Sequence, residues 1–234
     1  MRRELSRTVL SASAFALFVS TPSLSAQDDI FVTPVPNAPF SGVINVERSI
    51  VRRDGTVANM RTVRAIHRDS LGRIYNEYRT LLPALSSDTP PVMHILLYDP
   101  QTRTSTTLFP PQHAYRSGTT RRPPATEPPV FASYGPQNQF TRDEDLGIQE
   151  MQGLAAHGVR HTQTIPAGNG GSDKDIVVTD EYWYSEDLRI NLVLKHNDPR
   201  TGSVTLTVTQ VSRADPDSSL FQIPDGYTRS QAAR

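Results

Sequence analysis

The clearest signal in this chain is alternation. Between Leu188 and Lys195, Leu188, Ile190, Leu192 and Leu194 fall on one side, while Arg189, Asn191 and Lys195 fall on the other. Val204, Leu206 and Val208 oppose Thr205, Thr207 and Thr209 in the same way. A repeat of two is the side-chain period of a β-strand. The turn Asp198-Pro199-Arg200-Thr201-Gly202 joins the two runs, and one apolar face beside one wet face marks an antiparallel meander. Just upstream, a strand over 175–184 sets Ile176, Val178, Tyr182 and Tyr184 against Val177 and Trp183.

The earlier chain has the same grammar. A strand over 41–52 carries Ile44, Val46 and Ile50 on one face, with Arg48 as an exception, and Asp54-Gly55 follows as a hairpin signal. Strands over 56–68 and 73–81 flank the turn 69–72. Val92–Tyr98 is almost continuously apolar, the pattern of a central strand covered on both faces, and 102–109 pairs with it. Strands over 145–151 and 154–165 complete the set. No segment of 12 or more residues keeps a helical apolar stripe. The best helical candidate is the short turn Pro216–Phe221, which Asp215 or Asp217 is placed to cap. About ten strands predict a mainly β protein, a large curved antiparallel sheet (half-barrel or barrel), in a single domain over 41–228.

Proline sets the limits of that domain. Residues 27–40 contain Pro34, Pro36 and Pro39 and read as an extended leader. Seven Pro fall between Pro110 and Pro136, so 110–140 reads as a flexible insert, more a solvated spacer than a docking motif. Residues 229–234 read as a disordered tail. At the other end, Arg2, Arg3 and Arg7 precede an uncharged, mostly apolar run over Thr8–Ser20, then Pro22 and the small residues Ser23, Ser25 and Ala26. This is the layout of a secretory signal peptide over 1–26, and the run is too short for a stable transmembrane anchor, which needs about 20 residues. The expected location is the periplasm or the outside of the cell.

Composition narrows the function. The 234 residues hold 24 basic and 24 acidic side chains and no Cys. Losing 1–26 removes three Arg and one Glu and leaves a weakly acidic chain. That balance argues against nucleic acid, whose binding requires a basic surface, and gives no pull toward anionic lipid surfaces. Without Cys there is no disulfide scaffold and no thiolate nucleophile or zinc ligand. No nucleophile elbow, phosphate loop or dinucleotide fingerprint occurs. His157 and His161 are spaced for a shared metal only on a helix; on a strand they stand about 13 Å apart. His67, His94, His113 and His196 are scattered. No catalytic, cofactor or metal residue is therefore assigned, although a Ser–His–Asp set dispersed along the chain stays open.

The blocks E-Y-W-Y-S-E-D-L (181–188), K-H-N-D-P-R-T-G (195–202) and D-P-D-S-S-L-F-Q-I-P-D-G-Y (215–227) resemble a group of exported bacterial proteins of unknown function. So do L-G-I-Q-E-M-Q-G (146–153), T-I-P-A-G (164–168), R-R-D-G-T (52–56) and R-D-S-L-G-R (68–73). Their strand–turn logic is similar to the periplasmic lipoprotein-carrier superfamily, which includes the outer-membrane lipoprotein carrier and the sensor domain of an envelope-stress regulator. The resemblance implies a half-open sheet whose concave apolar face holds an acyl chain or apolar segment. Here that face would use Tyr182, Trp183, Tyr184, Leu188, Ile190, Leu192, Leu194, Val204, Leu206 and Val208, with no enzyme activity and no cofactor. The alternatives are a regulatory module that binds another envelope protein and a hydrolase. Whether the face lines a cavity or a closed core is open at this stage.

Overall fold

The computed structural model describes residue 30 and residues 32–120 and 138–230. The expected signal peptide, residues 121–137 of the expected insert and residues 231–234 of the expected tail lie outside them. The strands are β1 (Phe40–Val51), β2 (Val57–Arg68), β3 (Ile74–Arg79), β4 (Leu82–Pro83), β5 (Val92–Asp99), β6 (Thr104–Phe109), β7 (Ala114–Thr119), β8 (Thr141–Met151), β9 (Leu154–Ile165), β10 (Ile176–Ser185), β11 (Ile190–Asp198), β12 (Gly202–Ser212) and β13 (Thr228–Arg229).

All thirteen belong to one sheet in the order β13-β7-β6-β5-β3-β2-β1-β12-β11-β10-β9-β8, with β4 attached to β2. The sheet is curved but not closed, so it is a half-barrel whose edges are β13 and β8. Every pairing is antiparallel except the short β13–β7 contact. The first and last long strands meet in the middle, where β1 pairs with β12 and Val46 lies opposite Leu206. One limb, β2 to β7, extends from that seam on one side; β11 to β8 extend on the other.

Local chemistry explains the turns. The Asp54 carboxylate accepts hydrogen bonds from the Thr56 amide (3.0 Å) and hydroxyl (2.7 Å), while Gly55 takes φ 80°. At the β11–β12 turn Gly202 has φ 116°, and a Cβ there would lie 1.9 Å from the Ser49 carbonyl of β1, so only glycine fits.

The two faces bury different things. The inner face holds most of the larger cluster, with Phe40, Ile44, Ile66, Leu194, Leu206 and Val208, joined by Ile30 and Val32 of the leader. On the outer face, Tyr75, Leu97 and Leu108 are covered by Leu220, Phe221 and Tyr227 of the C-terminal segment. Ser218–Phe221 is a 3₁₀ turn, and Asp217 caps it by accepting from the Ser219 amide at 2.9 Å.

Several expectations need revision. Ala114–Thr119, inside the span read as a flexible insert, is a strand with a full register on β6. Its backbone completes a ladder on the Thr-rich β6 that the neighbouring prolines conceal. The tail is anchored at its start, because Arg229 belongs to β13 and the Ser230 amide bonds to the Tyr115 carbonyl at 2.8 Å. β5 is not covered along its length: Met93 is 54% exposed, and only Leu97 and Tyr98 are buried, at the end that the C-terminal segment reaches. The strand expected from 188 starts at Ile190, because Arg189 sits at φ 51° in the turn. The sheet thus holds thirteen strands rather than about ten, two of them only two residues long.

Candidate functional site

The site builds from cross-strand rows on the inner face. One row runs Thr62–Val46–Leu206–Leu194–Tyr182 across β2, β1, β12, β11 and β10. A second sets Val208, Ile44 and Arg64 side by side. Side chains directly opposite one another on an antiparallel pair touch, so these rows form a continuous apolar floor.

All ten residues expected on this face are buried: Leu188, Ile190, Leu192, Leu194, Val204, Leu206 and Val208 at 0–4% exposure, and Tyr182, Trp183 and Tyr184 at 3–5%. Nine belong to the larger cluster, Tyr184 being the exception. They do not all share one side. Tyr182 lies opposite Leu194 on the inner face, whereas Trp183 lies opposite Gly158 and Val193 on the outer one. A bulge between Trp183 and Tyr184 shifts the β10–β11 register, so Tyr184 pairs with Asn191.

The floor is roofed at one end by the leader. Ile30 (1%), Val32 (5%) and Thr33 (0%) are buried, and Pro34 and Val35 pack on Gly72. The tie is Arg68, itself 0% exposed. Its guanidinium donates to the carbonyls of Thr33 (2.7 Å), Ala38 (2.8 Å) and Leu188 (2.8 Å) and lies over the Phe40 ring at 5.0 Å. Burial pulls its pKa down to about 10, so it remains a cation at neutral pH.

Beside the apolar floor runs a charged row, Arg48–Val204–His196–Asp180–His161–Asp143. His161 Nδ1 lies 2.5 Å from Asp143, and His196 Nδ1 lies 2.7 Å from Asp180. His157 pairs with Asp145 at 2.7 Å. The two histidines of the His-x-x-x-His segment therefore hold separate aspartates. Among the described residues no group of three or more His, Asp or Glu is arranged to hold a metal ion.

On the other limb the inner face carries Arg64, Asn76, Tyr78 and His94. Arg64 is 5% exposed; it donates to Asn76 Oδ1 at 3.4 Å and lies over the Tyr78 ring at 4.8 Å. Tyr78 stacks on His94 at 4.5 Å and 14°. Burial lowers the pKa of Arg64, and burial followed by the Arg64 charge lowers that of His94. Sequence reading missed this group. Its signal was present as irregularity, since Arg64 and Arg68 occupy inward positions of a strand whose alternation is less clean than its neighbours'.

The outer face has its own polar centre. Glu181 accepts hydrogen bonds from Trp183 Nε1 (2.9 Å), Lys195 (2.8 Å) and Arg160 (2.8 Å). Burial opposes its ionisation, but those three donors outweigh it and hold the carboxyl at about 2. A Ser–His contact also exists, Ser41 Oγ to His67 Nδ1 at 2.9 Å, with the imidazole edge-on to Tyr75. Among the described residues no carboxylate hydrogen-bonds His67. A cleft of about 400 Å³ on the β2–β7 limb, lined by Arg73, Leu97, Thr104, Ser117 and Phe221, includes none of the ten residues expected on the apolar face.

No family model matches the chain, and no curated protein matches it. Among solved structures it is similar to the Pseudomonas aeruginosa MucA/MucB complex at 13% identity, with a TM-score of 0.41 over 84% of this chain. It spans 56% of the length of that matched chain. It is also similar to a LolA superfamily protein from Nitrosomonas europaea, at 8% identity over 85% of this chain and 95% of the other, with a TM-score of 0.32. The Mycobacterium tuberculosis lipoprotein LppX follows at 14% identity over 75% and 88%, with a TM-score of 0.26. At such identities the likeness concerns the fold, and no residue role passes across. Among the described residues no helix is long and apolar enough to cross a membrane.

Proposed function

We propose that this chain is an exported, non-enzymatic envelope binding protein that holds an acyl chain on the inner face of its half-barrel. The observation that carries this reading is the row Val46–Leu206–Leu194–Tyr182, continuous with Val208 and Ile44 and, among the described residues, partly roofed by Ile30 and Val32 of the leader. Ile30 and residues 32–39 form neither strand nor helix, so this part of the roof can lift without breaking the sheet beneath it. Each buried aliphatic contributes about 1.5–3 kcal/mol, whether its neighbour is the leader or a hydrocarbon chain, so exchange of one for the other costs little net burial. The test is native mass spectrometry of protein purified from the periplasm, followed by titration of the stripped protein with a fluorescent fatty acid. Stoichiometric co-purified lipid or one saturable site supports the reading. A protein that carries no lipid and takes up none, with its leader intact or removed, overturns it.

A further inference from the structure

We propose that the cleft on the outer side of the β2–β7 limb is a second binding site, which takes a neutral saccharide. It lies across the sheet from the apolar floor and does not rest on the acyl-chain reading.

The cleft is built from cross-strand positions. Its floor is the row Leu97–Thr106–Ser117 across β5, β6 and β7, with Thr104 one pair further along β6, opposite Asp99. Phe221, Gln222 and Ile223 of the C-terminal segment form a wall, and Arg73 and Thr102 belong to the lining. The volume of about 400 Å³ falls in the range of small-molecule sites, about 300–1,000 Å³.

Two kinds of surface meet there. Four aliphatic hydroxyls stand in two pairs, Thr102 with Thr104 and Thr106 with Ser117, each at 2.9 Å. A hydroxyl has one proton and two acceptor positions. Whichever member of a pair donates, the other keeps its proton, and both keep lone pairs. The Gln222 carboxamide adds both functions. A wholly apolar ligand would cover these groups without satisfying them, which is costly. Beside them Leu97, Phe221 and Ile223 supply apolar surface, with Ile223 40% exposed. A pyranose has the matching build: C–H groups on its faces and hydroxyls that both donate and accept around its rim.

Charge narrows the class further. Arg73 Nε donates to Asp69 at 2.6 Å, and the guanidinium lies 4.9 Å from the Phe221 ring centre. The donors left for a ligand are those of its terminal nitrogens, a planar fork suited to two neighbouring hydroxyl oxygens. Asp69 matches the charge of Arg73, and Asp99 adds a carboxylate to the lining, so an anionic ligand gains no net attraction. An extended peptide has no ladder to join, because β5 and β6 are each paired on both sides.

The experiment is an amide NMR titration of the purified chain with maltose, cellobiose and N,N′-diacetylchitobiose in turn. At least one is expected to give saturable shifts at Thr104, Thr106 and Ser117. Thr104→Val and Thr106→Val each replace a hydroxyl by a methyl at nearly constant shape. Each is expected to weaken that sugar at least fivefold while the rest of the spectrum stays that of the wild type. Thr104 is only half-buried, so its variant serves if the buried Thr106 does not tolerate the change. Uptake of a fluorescent fatty acid is expected to be the same with and without the sugar. No saturable shift with any of the three sugars, or an affinity unchanged in both variants, overturns the assignment and leaves the acyl-chain reading standing. Competition between sugar and fatty acid would place the sugar on the inner face and overturn it as well.

Discussion

Arg68 Nη2 donates a hydrogen bond of 2.8 Å to the carbonyl of Leu188, a residue 120 positions further along the chain. One guanidinium thereby fastens β2, the leader and the turn before β11 to one another. Arg68→Met keeps the volume and removes every donor, leaving the carbonyls of Thr33, Ala38 and Leu188 buried without it. A loss of about 3 kcal/mol or more is expected, read as a lower urea midpoint. A midpoint unchanged within error would show that the cation does not hold these segments together.

Gly158 lies under the Trp183 ring, and a Cβ at 158 would sit 2.7 Å from it. Gly158→Ala therefore pushes the indole off its bond to Glu181. The expected cost is about 1–3 kcal/mol, with an altered near-ultraviolet circular dichroism signal from the aromatic environment.

Glu181 couples stability to acidity. Its ordinary pKa of 4.5 falls to about 2 in the folded protein. The stabilisation is thus present above pH 4.5 and is lost as pH falls from there toward 2. Glu181→Gln is expected to lower the denaturation midpoint at pH 7 and to leave little difference from wild type at pH 2. A gap that stays constant over that range would assign the effect to packing instead.

Phe221 covers the outer cluster and receives the Arg73 guanidinium at 4.9 Å from its ring centre. Phe221→Ala should cost about 1–2 kcal/mol, since the side chain is only partly buried. It should also raise binding of a hydrophobic dye at Leu97 and Leu108. No dye response would mean that Leu220 and Tyr227 suffice to shield that patch.

Val32 tests the leader as a roof. Val32→Asp puts a charge against the inner cluster and is expected to loosen the leader while the sheet stays folded. A bound fluorescent fatty acid should then exchange several-fold faster. Global unfolding at the same urea concentration as wild type, with unchanged exchange, would remove the leader from any gating role.

Much of the architecture was legible because period two is hard to imitate. The hairpin from Ile190 to Val208 and the Asp217 cap follow from patterning and local hydrogen bonding, which act over a few residues. What stayed hidden depends on partners far away. β7 was masked by proline on either side, although its own Thr and Ser positions pair with β6. The bulge beside Trp183 moves Tyr184 to Asn191, and nothing in the adjacent residues marks it. Arg64 and Arg68 break the binary pattern because their partners are a carbonyl set and a stacked Tyr–His pair assembled from distant segments. The register that turns Asp143, His161, Asp180 and His196 into one row across four strands is likewise a product of pairing, not of spacing.

The chain's single tryptophan stands behind the wall that forms the floor. On the acyl-chain reading proposed above, a ligand on the inner face would have a layer of backbone between itself and the fluorophore. A change in tryptophan emission on loading would therefore report flexing of β10 over Gly158, which would make the native protein a built-in strain gauge for its own sheet.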